Sequence, residues 1–214
     1  MKTEDLINVL STNVEPVDPR RTGRDLAKAI IVGVVLSVGG VISWSGMRHD
    51  LGDGHALAFL VAKIMLSGGL VFAGARYLMR LGRPGADAQV LRGQLGWPAY
   101  VVGALAIAVL VALPLTHWHH LGMDSDGWLE CLVSIPVIAV VPFASVIWAL
   151  RKMAPTNLPR TGAVAGIVAG GISAIGYALH CTDDSVPFIA LWYGGAIALC
   201  ALAGFLLGPR LLRW

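Results

Sequence analysis

Charge is scarce in this sequence. Only 14% of its 214 residues are Asp, Glu, Lys or Arg, whereas 56% are hydrophobic. Average soluble chains carry about 25% charged and about 45–50% apolar residues. So few ionic side chains cannot cover a soluble surface, which excludes a soluble globular domain and a disordered regulator. Cysteine is scarce too, and three residues are too few for a secreted disulfide scaffold. The familiar catalytic patterns are missing: there is no Cys-x-x-Cys, His-Glu-x-x-His, Gly-x-Ser-x-Gly or phosphate-binding loop. No large stretch between the apolar runs is left to hold a nucleotide. The chain is read as a non-enzyme that needs neither cofactor nor metal.

What is abundant is apolar length. A membrane-crossing helix needs roughly 20 mostly apolar residues. Six such runs lie at about 29–47, 56–75, 95–116, 131–150, 161–179 and 186–208, and the second of them contains Lys63. The runs are continuous and do not alternate, so they read as helices rather than barrel strands. The fold expected is all-α: a polytopic bundle of six transmembrane helices, with both termini on one side. The first run is not expected to be a cleavable signal peptide, because about twenty-five mixed-charge residues precede it and no small-residue cleavage site follows Ser43-Trp44-Ser45.

The cations set the orientation. Of the sixteen Lys and Arg, fourteen fall on one side, Arg48 stands alone on the other, and Lys63 is inside a span. The basic side is expected to face the cytoplasm of a bacterium, which places the chain in the inner membrane. The modest net charge of +3 therefore conceals two differently dressed faces.

The opposite face holds every histidine: His49, His55, His117, His119, His120 and His180. It also holds Asp50, Asp53, Asp124, Asp126, Glu130, Asp183 and Asp184, with Cys131 and Cys181 at two span boundaries. Three readings compete. Interfacial loops need polar residues. The two cysteines, at one membrane depth, are placed for a disulfide if their Cα atoms come within about 7 Å, and an oxidising periplasm favours one. His, Cys and carboxylate are also metal ligands, but no fixed ligand spacing occurs. A functional Cys pair is preferred to an inert one, and a bound metal ranks below both.

Lys63 lies about 12 Å along its helix from His55. An intramembrane charge is a functional candidate by default, but its stem can snorkel outward. The reading preferred here is snorkelling toward Asp50, Asp53 or Glu130, as a packing aid. Gly162, Gly166 and Gly170 repeat every fourth position, as do Gly204 and Gly208. Such faces let helices approach closely, and they are assigned to bundle packing rather than dimerisation. Pro114, Pro136 and Pro142 are expected to mark kinks.

The first twenty-five residues form the one sizeable soluble segment. Thr3 is placed to cap a short helix with Glu4 and Asp5 in its first turn. Leu6, Ile7, Leu10 and Val14 fall on one stripe, and Pro16 and Pro19 are expected to end the helix. So short a helix is marginal alone. Its polar face is acidic, which disfavours lipid, so a protein partner docking helix-in-groove is expected. Arg20, Arg21, Arg24 and Lys28 would then sit at the lipid headgroups.

The opening Met1-Lys2-Thr3-Glu4-Asp5-Leu6-Ile7 resembles the start of NrsF-type proteins, negative regulators of an extracytoplasmic-function sigma factor. The run His180-Cys181-Thr182-Asp183-Asp184-Ser185-Val186-Pro187-Phe188, leading into Ala190-Leu191-Trp192-Tyr193-Gly194, is similar too, as is the ending Gly208-Pro209-Arg210-Leu211-Leu212-Arg213-Trp214. The resemblance implies a membrane-anchored anti-sigma factor without direct nucleic-acid contact. Residues 1–25 would bind the sigma factor through Asp5, Leu6, Ile7, Leu10 and Val14, and residues 26–214 would form the membrane domain. Cys131 and Cys181, with His180 and Asp184, would sense an envelope stress such as a heavy metal or an oxidant. A different class stays open beside it: a small transporter or metal-handling membrane protein using Lys63 and the outer histidines. A purely structural membrane subunit is a third. Oligomeric state is left open.

Overall fold

The structure is a computed structural model, which describes residues 3–12, 19–82, 127–185 and 188–213. It is all helical over those residues. Its elements are α1 (Thr3–Ser11), α2 (Pro19–Trp44), α3 (Gly54–Leu81), α4 (Gly127–Leu150), α5 (Leu158–Ala178), a π-helical turn (Ile189–Tyr193) and α6 (Gly194–Leu211). Five stretches are long and apolar enough to cross a membrane: Arg21–Trp44, α3, α4, α5 and Ile189–Leu211. The expected span at 95–116, with Pro114, lies outside the described residues.

Helix boundaries depart from the charge-free runs in an instructive way. α2 begins at Pro19, ten residues before the first apolar run, because proline is preorganised for the first turn of a helix. Pro19 therefore opens a helix instead of closing one. α1 ends at Ser11, ahead of Pro16, and Thr3 lies within it. Arg21, Arg24 and Lys28 belong to α2.

α5 is the centre of the bundle and packs against α2, α3, α4 and α6. Small residues make this possible. A Cβ added at Gly162 would run into the Gly204 carbonyl oxygen, and one at Gly166 into that of Cys200. In return, a Cβ at Gly204 would meet the Gly162 carbonyl. The two glycine faces meet each other, as expected of close-approach surfaces within one bundle. Pro136 and Pro142 lie inside α4, which runs through them unbroken. Pro142 faces Gly33 of α2, where an added Cβ would come within 2.9 Å of its Cβ.

The outward faces are apolar. Ile31 and Val35 of α2, Met65 and Phe72 of α3, Val137 and Val140 of α4, and Leu206 of α6 are all exposed. An apolar exterior around a core of glycine and alanine is compatible with a lipid surrounding. One end of the bundle gathers Cys131, Cys181, Leu60, Phe188 and Tyr193 into a buried cluster. The opposite end is tied by Lys152 to Asp25 at 3.1 Å and by Arg151 Nε to the Leu211 carbonyl at 2.7 Å.

Candidate functional site

The site is built where α2, α3 and α5 end or begin. Gly46 takes a left-handed backbone (φ +79°), which a side chain disfavours. The turn returns the chain so that Arg48 N donates to the Leu179 carbonyl at 3.0 Å. Gly46 also offers its carbonyl to His180 Nδ1 at 3.3 Å. The loop after α2 and the loop after α5 are thereby joined.

Arg48 is buried, and its guanidinium serves both loops. It holds Asp50 through Nε (2.6 Å) and Nη2 (2.8 Å), and Asp184 through Nη2 (2.6 Å). Its Nη1 reaches the Cys181 carbonyl at 3.2 Å. Lys63, on the third turn of α3, is fully buried. Its ammonium donates to Asp184 Oδ1 at 2.9 Å and to the Cys181 carbonyl at 3.3 Å, and it lies 3.9 Å from Cys181 Sγ. Asp184 thus bridges two buried cations, an arrangement that offsets the cost of removing each from water.

The electrostatics follow this geometry. Hydrogen bonds from Arg48 outweigh a smaller burial effect and take the Asp50 carboxyl down to about 2. Burial acts against ionisation of Asp184, yet hydrogen bonds from Arg48 and Lys63 overcome it and hold the carboxyl below its usual range. The same bonds to Asp50 and Asp184 raise the Arg48 guanidinium above its ordinary value. Asp50, Asp184 and Arg48 are therefore charged at neutral pH.

Around this network stand the thiols and aromatic rings. Cys131 lies near the start of α4 with no exposure, and Cys181 follows α5 with 6%. Both are free thiols. They are electrostatic neighbours in one cluster. Tyr193, on the π-helical turn, places its ring 5.8 Å from the Lys63 ammonium and 6.3 Å from Tyr177. Its buried hydroxyl has no hydrogen-bond partner among the described residues. Trp192 of the same turn stacks on Trp128 of α4 at 4.9 Å. π-turns recur at functional sites, and this one brings the last span against Cys131 and Lys63.

Several sequence-based expectations change here. Lys63 does not snorkel toward Asp50, Asp53 or Glu130; its carboxylate is Asp184. Asp50 is taken by Arg48, Asp53 caps α3 at His55 N (3.2 Å), and Glu130 is exposed. The two thiols at the span boundaries are buried. Arg48 was overlooked as a site residue. The available signal was its isolation, since a single cation on a face otherwise free of Lys and Arg is unneeded for topology. Of the four residues proposed for sensing, Cys181, His180 and Asp184 share one loop, and Cys131 faces it from α4.

The outer histidines do not converge. His49 and His55 are exposed, and His180 binds backbone. His117, His119 and His120 lie outside the described residues. Among the described residues no group of three His, Cys, Asp or Glu is placed to hold a metal ion. At the N-terminus, Asp5 and Ile7 of α1 are exposed. Leu6 and Leu10 also belong to α1, although their side chains are outside the described set, as is Val14 altogether.

Known proteins agree with this chain over its length. The family model "NrsF: Negative regulator of sigma F" matches residues 10–214. A protein of Azospira oryzae described as "Probable anti-sigma-F factor NrsF" is 33% identical over 218 residues, covering all of both chains. The "Anti-sigma-F factor NrsF" of Caulobacter vibrioides is 34% identical over 230 residues, again covering all of both. No solved structure matches. On this full-length similarity, the chain belongs to the NrsF family of negative regulators of sigma F.

Proposed function

We propose that the chain is an anti-sigma factor anchored in the bacterial inner membrane, with both termini in the cytoplasm. It sequesters an extracytoplasmic-function sigma factor through residues 1–25 and frees it when a heavy metal or an oxidant acts on Cys131 and Cys181 in the periplasm. The full-length family match carries this reading. Three further observations support it: the exposed Ile7 on a short acidic helix, the apolar exterior of five long helices, and two free thiols beside a buried charge network. Asp5, Leu6, Ile7, Leu10 and Val14 form the sigma-binding stripe. Cys131, Cys181, His180 and Asp184 form the sensing end.

For a signal to release the partner, it must favour one conformation of the bundle over another. The thiols suit that task because they touch α3, α4, α5 and the last span at once. Co-purification from membranes tests the first half. The full-length chain should bring down a sigma factor, and Leu6→Asp or Leu10→Asp should lose it. Retention by both variants would refute N-terminal docking. The second half fails if a Cys131→Ser/Cys181→Ser protein still frees its partner fully under the stressor. Substrate-dependent flux in liposomes, with no cytoplasmic protein captured, would favour a transporter instead.

A further inference from the structure

We propose that Cys181 is the thiol that reacts first with an incoming hydroperoxide, that Cys131 then resolves it to a disulfide, and that Lys63 is the positioning residue that sets this order. The inference deepens the reading above and rests on the two thiols being the responsive groups.

The two cysteines are not equivalent. Cys131 is locked in helix α4 and has no exposure, whereas Cys181 lies in the non-helical segment that follows α5 and retains 6%. The Lys63 ammonium lies 3.9 Å from Cys181 Sγ and also holds the carbonyl of that residue at 3.3 Å. An adjacent cation stabilises a thiolate, and the thiolate is the nucleophile. The counter-charge is Asp184, 2.9 Å from the same ammonium. The other titratable groups facing Cys181 are Arg48 at its carbonyl, Tyr177, Tyr193 and Cys131. Among the described residues none of these places a second cation at the sulfur, so Lys63 is the cation that stands beside it.

The chemistry balances with a hydroperoxide as oxidant. The Cys181 thiolate attacks the distal oxygen; an S–O bond forms and the O–O bond breaks. The alcohol leaves with the proton the thiol gave up, and Cys181 becomes a sulfenic acid. The Cys131 sulfur then attacks Cys181 Sγ. An S–S bond forms, the S–O bond breaks, and the hydroxyl departs as water with the Cys131 proton. Two thiols supply the two electrons that reduce the peroxide. Closing the bridge draws Cys181 toward α4, away from a carbonyl position that Lys63 and Arg48 both hold.

The test uses the full-length protein in membranes, pulsed with hydrogen peroxide and trapped with dimedone. Cys200 serves as an internal folding check, because its backbone is packed against Gly166 and its side chain against Gly170. With Cys131→Ser, Cys181 should be labelled roughly tenfold faster than Cys131 is in the Cys181→Ser protein, as expected where only one thiol has a cation beside it. Lys63→Met should slow Cys181 labelling, Lys63→Arg should restore most of it, and Asp184→Asn should speed it. A merely structural role would loosen the site and speed labelling in both the Lys63→Met and Asp184→Asn proteins. Faster labelling of Cys131, or a shift in the same direction from Lys63→Met and Asp184→Asn, overturns the proposal. Sigma release in the double-serine protein decides separately whether the thiols carry the response.

Discussion

Lys63 and Asp184, 121 positions apart in the chain, meet at 2.9 Å with the lysine fully buried. Arg48 completes the bridge from the other side of the carboxylate. The contact joins α3 to the loop after α5, and it places a fixed charge beside Cys181.

Removing the shared carboxylate should therefore cost more than removing either cation. Asp184→Ala leaves Lys63 buried without its anion, a loss of about 3–5 kcal/mol for a broken buried pair. Lys63→Met leaves Asp184 still held by Arg48 and should cost clearly less. Unfolding of the purified protein in mixed micelles ranks the two. Equal losses would show that Arg48 does not hold the carboxylate once Lys63 is gone.

Acid should unfasten the outer end. Asp50 and Asp184 have carboxyls depressed on folding, so their stabilisation is present above their ordinary range near 4 and lost as pH falls through their folded values. For Asp50 that value is about 2. The melting temperature in detergent should fall between about pH 4 and pH 2. In Arg48→Gln the Asp50 carboxyl returns to its ordinary range, so the gap between this variant and the parent should narrow over the same interval. A constant gap would mean that Arg48 does not set the carboxyl.

The glycine faces predict a backbone clash. Gly166→Ala drives a methyl into the Cys200 carbonyl oxygen, and Gly204→Ala drives one into that of Gly162. Overpacking costs typically about 1–3 kcal/mol, and here backbone must move. Gly195→Ala meets only a Leu132 methyl at 3.9 Å and should be neutral or slightly stabilising. Melting temperatures of the three variants provide the check.

The exposed stripe of α1 predicts a binding defect without a stability defect. Ile7 is 55% exposed, so Ile7→Asp should leave the melting temperature unchanged. Loss of a buried interface anchor typically costs about 2 kcal/mol or more, which is roughly a thirtyfold weaker complex. Titration of the sigma factor against the solubilised protein measures the binding loss, and a thermal melt of the variant checks its stability.

How far the fold could be read in advance depended on range. The positions of α3, α4, α5 and the last span follow from local runs of apolar residues. The Gly162–Gly166–Gly170 face pointed to a close helix contact, because four-residue spacing aligns positions on one side of a helix. The start of α2 was not legible, since a proline can open a helix as well as close one. Lys63 was visible as an anomaly, but its partner was not. Asp50, Asp53 and Glu130 all fitted a snorkelling stem equally well.

Chain-local chemistry thus determined the apolar spans, the asymmetry of the cations and the glycine faces, because each depends on residues within a few turns. Tertiary structure alone decided that the loop after α5 folds down onto α3. That single placement selects Asp184 as the anion for Lys63 and turns Arg48 inward as its second cation. It also buries Cys181 against an ammonium. A buried charge takes whatever counter-charge the packing brings within hydrogen-bond reach, and that choice is settled between segments far apart in the chain.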